Sequence, residues 1–524
     1  MPKQNSTGPK ARQAQPRKND AEIERILDQM DQAILSHDEE GVVALSQAIW
    51  QHRKRLPEVL TRRIVEGRAA IPAVAMEMLG GFAGPKAATF LRRIAEDRNV
   101  PDIVRFGAQR RSGWPERGET KRRIAFLESL QDPDHTLVVA IDQGTDSWPP
   151  ECEILNEVLA YLAILPAARS EEIAKAAVDE VGERASWILH ALLESTQASL
   201  ARRAIDCLEQ LHDVGAVGPL RRLARSTQMA TLRKSATTAA EKLAALPIER
   251  RFPSESMALP AAQKVLLSVV DGAGAQTILV TRQFADGLVR MANYLTTDSW
   301  GIKDSFGQDR VPAVELTPIL EEFENAGVLL VEVDLAACRG LIESAVDTNR
   351  STRQPIPPVF ELWEPFLHES YPPPPDEMVV VPELDDVAYA RRAALLKANG
   401  KLFDHRFFES WAFAPEEIGM AMIVTPLPLE PVRSNKQLAP LIEAIMIPET
   451  CARYRQRLRR QAWLLDRVGD SQARDLALAT AASLAEASPA KLARQPFFQE
   501  MVSRTLEAMA SDVLGDLDLP FWPE

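Results

Sequence analysis

The richest short stretch of chemistry-bearing residues is TTDSWGIKDSFG, residues 296–307, which holds Asp298, Trp300, Gly301, Lys303, Asp304 and Phe306. Two carboxylates beside a lysine are the residue types that bind a metal or activate a nucleophile. A hydrolase-like or lyase-like site would need Asp298, Lys303 and Asp304 to converge within hydrogen-bond reach. The same residues also suit a structured loop, with Asp298 and Asp304 capping turns and Trp300 and Phe306 packed. Asp298, Lys303 and Asp304 are therefore the catalytic candidates, and Trp300 is a binding candidate.

A second stretch, VVDGAGAQTILVTR (269–282), places Gly272 and Gly274 between two apolar runs. A dinucleotide-binding loop needs a third glycine and a following helix. Here Ala275, Gln276 and Thr277 follow, and then a strand pattern. Without a helix N-terminus no set of free amides faces a phosphate. Asp271-Gly272 between apolar runs instead signals a hairpin turn.

Two basic runs sit on helical patterns: RRIVEGR (62–68) and RYRQRLRRQ (453–461). Arg453, Arg457 and Arg460, with Tyr454 and Trp463 nearby, have the chemistry to contact RNA. Their alternation with apolar residues predicts a solvated helix face. The seven histidines are scattered, and the four cysteines (152, 207, 338, 451) are far apart without a CxxC. Neither set has the spacing of a zinc site, a disulfide framework or a nucleophile with its base. The sequence thus names no metal and no cofactor.

These candidates must be positioned by a chain of 524 residues, long enough for two to four domains. Its hydrophobic share of 46% and charged share of 26% are those of a soluble globular protein. A net charge of −13 argues against wrapping nucleic acid. The first twenty residues lack the apolar core of a secretory signal, and no run of about 18 apolar residues spans a bilayer. A cytoplasmic protein without membrane contact is expected.

Residues 1–20 read as a basic disordered tail, able at most to tether an anionic partner. From 21 to 247 the apolar spacing is helical, punctuated by Gly80-Gly81, Pro101, Pro149-Pro150 and Pro166. Two stretches repeat each other: FLRRIAEDRNVPDIVRFGA (90–108) and PLRRLARSTQMATLRKSA (219–236). Each carries Leu-Arg-Arg-aliphatic-Ala and then aliphatic-Arg-x-x-Ala. The separation fits four units of about 32 residues, the period of a solenoid. The section around 142–153, DQGTDSWPPECE, breaks the period as an inserted loop.

On these two units the chain resembles the HEAT-like repeat family, especially its short-repeat kind also found in phycobilisome lyases. The resemblance covers residues 60–247. It implies an armadillo-type α-solenoid and implies almost nothing about activity, because such repeats serve many roles. Separately, Gly301-x-Lys303-Asp304-x-Phe306 is similar to an element of some bacterial domains, a likeness that implies no activity.

Residues 259–368 change period. KVLLSVV (264–270), QTILVTR (276–282) and GLVRMANYLT (287–296) read as three strands of an antiparallel meander. A helix over 313–327 closed by Gly327, a fourth strand over 328–333 and a helix capped by Asp334 complete a small α+β domain. The proline-rich joints QPIPPVFELWEP (354–365) and YPPPP (371–375) are expected to act as spacers or to wrap a neighbour, with 369–383 as linker. Residues 384–514 are helical again. Ser434 to Gln437 has a capping-box spacing, and a helical hairpin is expected to turn at Gly469-Asp470. Residues 515–524 form an acidic tail.

The fold expected is mainly α: a HEAT-like α-solenoid, a small central α+β domain and a C-terminal helical domain. The function expected is a protein–protein interaction scaffold or adaptor. The alternatives are an enzyme centred on Asp298, Lys303 and Asp304, or an RNA- or ribosome-associated protein using the basic tail and Arg453, Arg457 and Arg460.

Overall fold

A computed structural model describes residues 18–36, 38–113, 118–250, 252–253, 257–285, 287–373, 383–425 and 435–513. The basic tail apart from its last residues, most of the proline-rich linker, the Ser434 cap and the acidic tail lie outside the described residues. The described chain is mainly helical, with one five-stranded antiparallel sheet. It divides into two compact units, 1–140 and 141–524.

In the first unit the repeat pattern forms a helical pair, Ala87–Glu96 and Asp102–Ser112. Its shared aliphatic and alanine positions Leu91, Ile94, Ala95 and Ala108 are buried. Arg105 is buried too, and donates to the Ala95 carbonyl at 2.8 Å and to the Ser129 hydroxyl at 2.7 Å. The basic run 62–68 is not the solvated face its periodicity predicts. Arg63 pairs with Glu24 at 3.0 Å and Asp31 at 2.8 Å, while Arg62 pairs with Asp20 at 3.1 Å. These arginines tie the Leu56–Val65 helix to the Lys18–Leu35 helix.

The second unit opens with further helical pairs. The second repeat forms Val217–Ser226 and Ala230–Ala244, and its Leu220, Leu223 and Ala236 are buried like their counterparts, while Leu232 is buried where Val104 is half-buried. The repeated arginines diverge. Arg93 is exposed, whereas its match Arg222 is buried and reaches a carboxylate far along the chain. The period-breaking loop is shorter than expected, because Asp142–Thr145 are helical and only 146–151 connect. Arg290 holds that connection by donating to the Pro149 carbonyl at 2.6 Å.

Among the described residues seven strands follow: β1 (Met257–Ala258), β2 (Ala262–Ser268), β3 (Ala275–Gln283), β4 (Leu288–Thr297), β5 (Gly301–Pro312), β6 (Leu330–Glu332) and β7 (Ser370–Tyr371). The main sheet runs β5-β4-β3-β2-β6, antiparallel throughout its described pairs. The three-strand meander forms within a few residues of its expected edges. Of the stretch read as a loop, 296–297 end β4, 298–300 form a turn that holds Asp298, and 301–307 belong to the long edge strand β5. The register of β5 against β4 shifts twice, near Met291 and near Thr296. Such bulges hide an alternating pattern in the sequence. Gly301 starts β5 at φ +96°, and a side chain there would collide with Asn349. Asn349 in turn accepts from the Ile302 amide at 2.7 Å. Asp334 stands before the Leu335–Thr352 helix but makes no capping bond; its carboxylate pairs with Arg467 at 2.9 Å.

The proline-rich joint 354–365 is a packed wedge rather than a spacer. Ile356, Phe360, Leu362, Trp363, Phe366 and Leu367 are at most 1% exposed. The carbonyls of this irregular backbone still need donors. Tyr294 serves Trp363 at 2.5 Å, Arg282 serves Phe366 at 3.1 Å, and Arg339 serves Leu367 at 3.1 Å. β1 and β7 pair, bringing the two ends of the central segment together. The C-terminal helices include the expected hairpin, Pro448–Arg467 and Ser471–Glu486. Gly469 takes φ +81° at the joint, and the Asp470 carboxylate accepts from the Ala473 amide at 2.8 Å.

Candidate functional site

The Asp271–Gly274 stretch is a turn between β2 and β3. The Gly274 amide donates to the Asp271 carbonyl at 3.1 Å, and the Ala275 amide donates to the Asp271 carboxylate at 2.7 Å. Its glycines serve close approach of protein to protein. A Cβ on Gly272 would lie 2.4 Å from the Ser410 carbonyl oxygen, and one on Gly274 would lie 2.4 Å from the Asp298 carboxylate. Arg457 occupies the ground a phosphate-binding reading would have left to a ligand. It donates to the Gly272 carbonyl at 2.5 Å and to the Ala273 carbonyl at 3.0 Å.

The other half of the Arg457 guanidinium forms a two-point pair with Asp298, at 2.5 Å and 2.9 Å. Both side chains are about 5% exposed, and Arg457 stacks over the Tyr454 ring at 4.5 Å. Two sequence candidates from different lists, one catalytic and one nucleic-acid-binding, are thus each other's partner. Burial alone would lower the pKa of Arg457, but hydrogen bonds and charge from Asp298 raise it above its ordinary value.

Lys303 and Asp304 sit on β5 and are exposed. The Asp304 carboxylate accepts from the Ser305 amide at 2.8 Å. Among the described residues no hydrogen bond or ion pair joins Asp298, Lys303 and Asp304 into one constellation. Trp300 and Phe306, which a structured loop would pack, are 38% and 45% exposed.

Along the Pro448–Arg467 helix the arginines take different roles. Arg453 pairs with Glu417, which also accepts from the Tyr454 hydroxyl at 3.0 Å. Arg459 pairs with Asp386 at 2.5 Å and donates to the Leu384 carbonyl at 2.6 Å. Arg460 is half-buried, with no hydrogen bond or ion pair among the described residues. Burial lowers its pKa, Asp298 opposes this, and neighbouring Arg457 lowers it further. The Nε of Arg455 is buried without a hydrogen-bond partner.

Arg455, Gln456, Arg459 and Arg460 line a solvent-open cavity of about 500 Å3, together with Leu341, Ser344, Glu383 and Asp386. A second cavity of about 390 Å3 shares Ala452 and Arg455 with it. Its other walls are mostly apolar, including Met446, Pro448, Leu484 and Pro489, with Cys451 at the edge. The arginine run marks one wall in the sequence. The other walls of the larger cavity, more than sixty residues upstream, carry no signal.

A buried cluster elsewhere has a catalytic look. His190 Nε2 lies 2.6 Å from the Asp213 carboxylate, and the Tyr371 hydroxyl lies 3.5 Å from His190 Nδ1. All three are at most 4% exposed, so this relay holds the protein together and meets no dissolved substrate. Beside it Arg222 bridges Glu361 at 2.7 Å and Glu364 at 2.9 Å. Burial, reinforced by the charge of Glu361, pushes the Glu194 carboxyl up to about 8.

Among the described residues no group of three or more His, Cys, Asp or Glu is placed to hold a metal ion. No described helix is long and apolar enough to cross a membrane. No family model, curated protein or solved structure matches this chain significantly.

Proposed function

We propose that the chain is a protein–protein interaction scaffold built on HEAT-like helical pairs, and that the Pro415–Val424 helix is part of its docking surface. The observation that carries the reading is the outer face of that helix. Met420, Ile423 and Val424 are 66%, 76% and 77% exposed. They stand at i, i+3 and i+4, so they form one stripe. Ile418 and Ala421 bury the opposite side of the helix. A large apolar stripe left in water at this spacing fits a protein partner that brings an apolar face of its own. The repeat region supports the same reading, because stacked helical pairs offer extended surfaces and need no reactive group.

The test compares wild type with an Ile423→Asp variant. Proteins retained from native lysate, with nuclease treatment, are quantified by mass spectrometry. A partner that survives nuclease with wild type and falls at least tenfold with I423D supports the scaffold. Equal retention by both, with both folded, removes this helix from the proposal.

A further inference from the structure

We propose that the paired cavities beside the Pro448–Arg467 helix bind a small amphipathic anion, with its phosphate or carboxylate head between Arg455 and Arg460 and its hydrocarbon body along Met446, Pro448 and Leu484. This goes beyond the scaffold reading and does not depend on it.

The argument starts from unspent charge. Of the cations on this helix, Arg453, Arg457 and Arg459 each have a carboxylate. Arg455 and Arg460 form no ion pair among the described residues, although the charge of Asp298 reaches Arg460. A guanidinium drawn out of water without a counter-ion is costly, and a bound anion removes that cost. Arg457 cannot help, because Asp298 and two carbonyls already take its donors. Arg460 feels Asp298 as an opposite charge and Arg457 as a like charge, and makes a hydrogen bond to neither.

Shape agrees with charge. The cavity volume of about 500 Å3 is that of small-molecule sites, and the fork geometry of arginine suits phosphate and carboxylate. Ser344 and Gln456 add neutral polar groups on the wall. Glu383 and the Arg459-paired Asp386 also line this cavity and repel anions, so the head group must be small enough to reach Arg455 and Arg460 without meeting them. An apolar body would instead follow Ala452 and Arg455, which border both spaces, into the 390 Å3 cavity.

The experiment uses the full chain with octyl phosphate below its micelle concentration and inorganic phosphate as the two probes. Calorimetry is run on wild type, Arg460→Gln, Arg455→Gln and the exposed control Arg467→Gln. One octyl phosphate per chain, tenfold or more weaker in R460Q and R455Q and unchanged in R467Q, is the expected result. A mutation-free reading comes from Cys451, which borders the apolar cavity while Cys152, Cys207 and Cys338 are buried. Its reaction with a disulfide reagent should slow at least threefold with octyl phosphate and stay unchanged with inorganic phosphate. No binding by wild type, or equal binding by the arginine variants, overturns the site. Equal affinity for the two phosphates overturns the apolar half of the proposal.

Discussion

Asp298 and Arg457 show how a residue's role depends on what meets it. Breaking a buried pair strands a charge, which costs about 3–5 kcal/mol. Arg457→Ala also frees the Gly272 and Ala273 carbonyls, so it should destabilise at least as much as Asp298→Asn. Urea unfolding of both variants checks this, and a mild effect would mean the pair is solvated. Glu194 gives a second prediction. Its folded-state pKa of about 8 lies above the ordinary 4.5. The folded state therefore holds a proton the unfolded state loses, and stability falls as pH rises between these values. The slope is about 1.4 kcal/mol per pH unit. Glu194→Gln should raise the melting temperature more at pH 8 than at pH 5.5. Melting curves at the two values decide it.

At the scale of elements, the turn at 271–274 and the strands on either side were legible. Asp-Gly punctuation and β-branched runs act locally, and so did their reading. β5 was not legible, because an edge strand with two register shifts exposes Lys303, Asp304 and Phe306 and breaks its own alternation. The exposed charges also blunt a sheet edge against pairing with other chains. The site was legible only in part. Arg453, Arg457 and Arg460 were visible as a run, but the partners of the first two, Glu417 and Asp298, lie elsewhere in the chain, and apolar periodicity says nothing of them. Gly272→Ala tests the close approach of the turn to residues 410–412. The clash is with backbone, so a loss of about 1–3 kcal/mol is expected from overpacking. Thermal melts of that variant would show no loss if the strands simply slide apart.

At the scale of the second unit, the wedge 354–367 joins helices and sheet through its carbonyls and through Arg222. An excised central fragment of residues 259–368 keeps Glu361 and Glu364 but loses Arg222. It should give no dispersed amide spectrum, whereas residues 141–513 should. The Arg222–Glu361 bond has a further consequence during synthesis. Its partners are 139 residues apart. At ordinary rates of translation the arginine leaves the ribosome roughly 10–30 s before the carboxylates do. Over that interval the nascent helices expose an apolar face with an unanswered cation at its centre. A chain stalled short of residue 360 is therefore expected to bind chaperones, and slower translation across 230–360 is expected to lower yield.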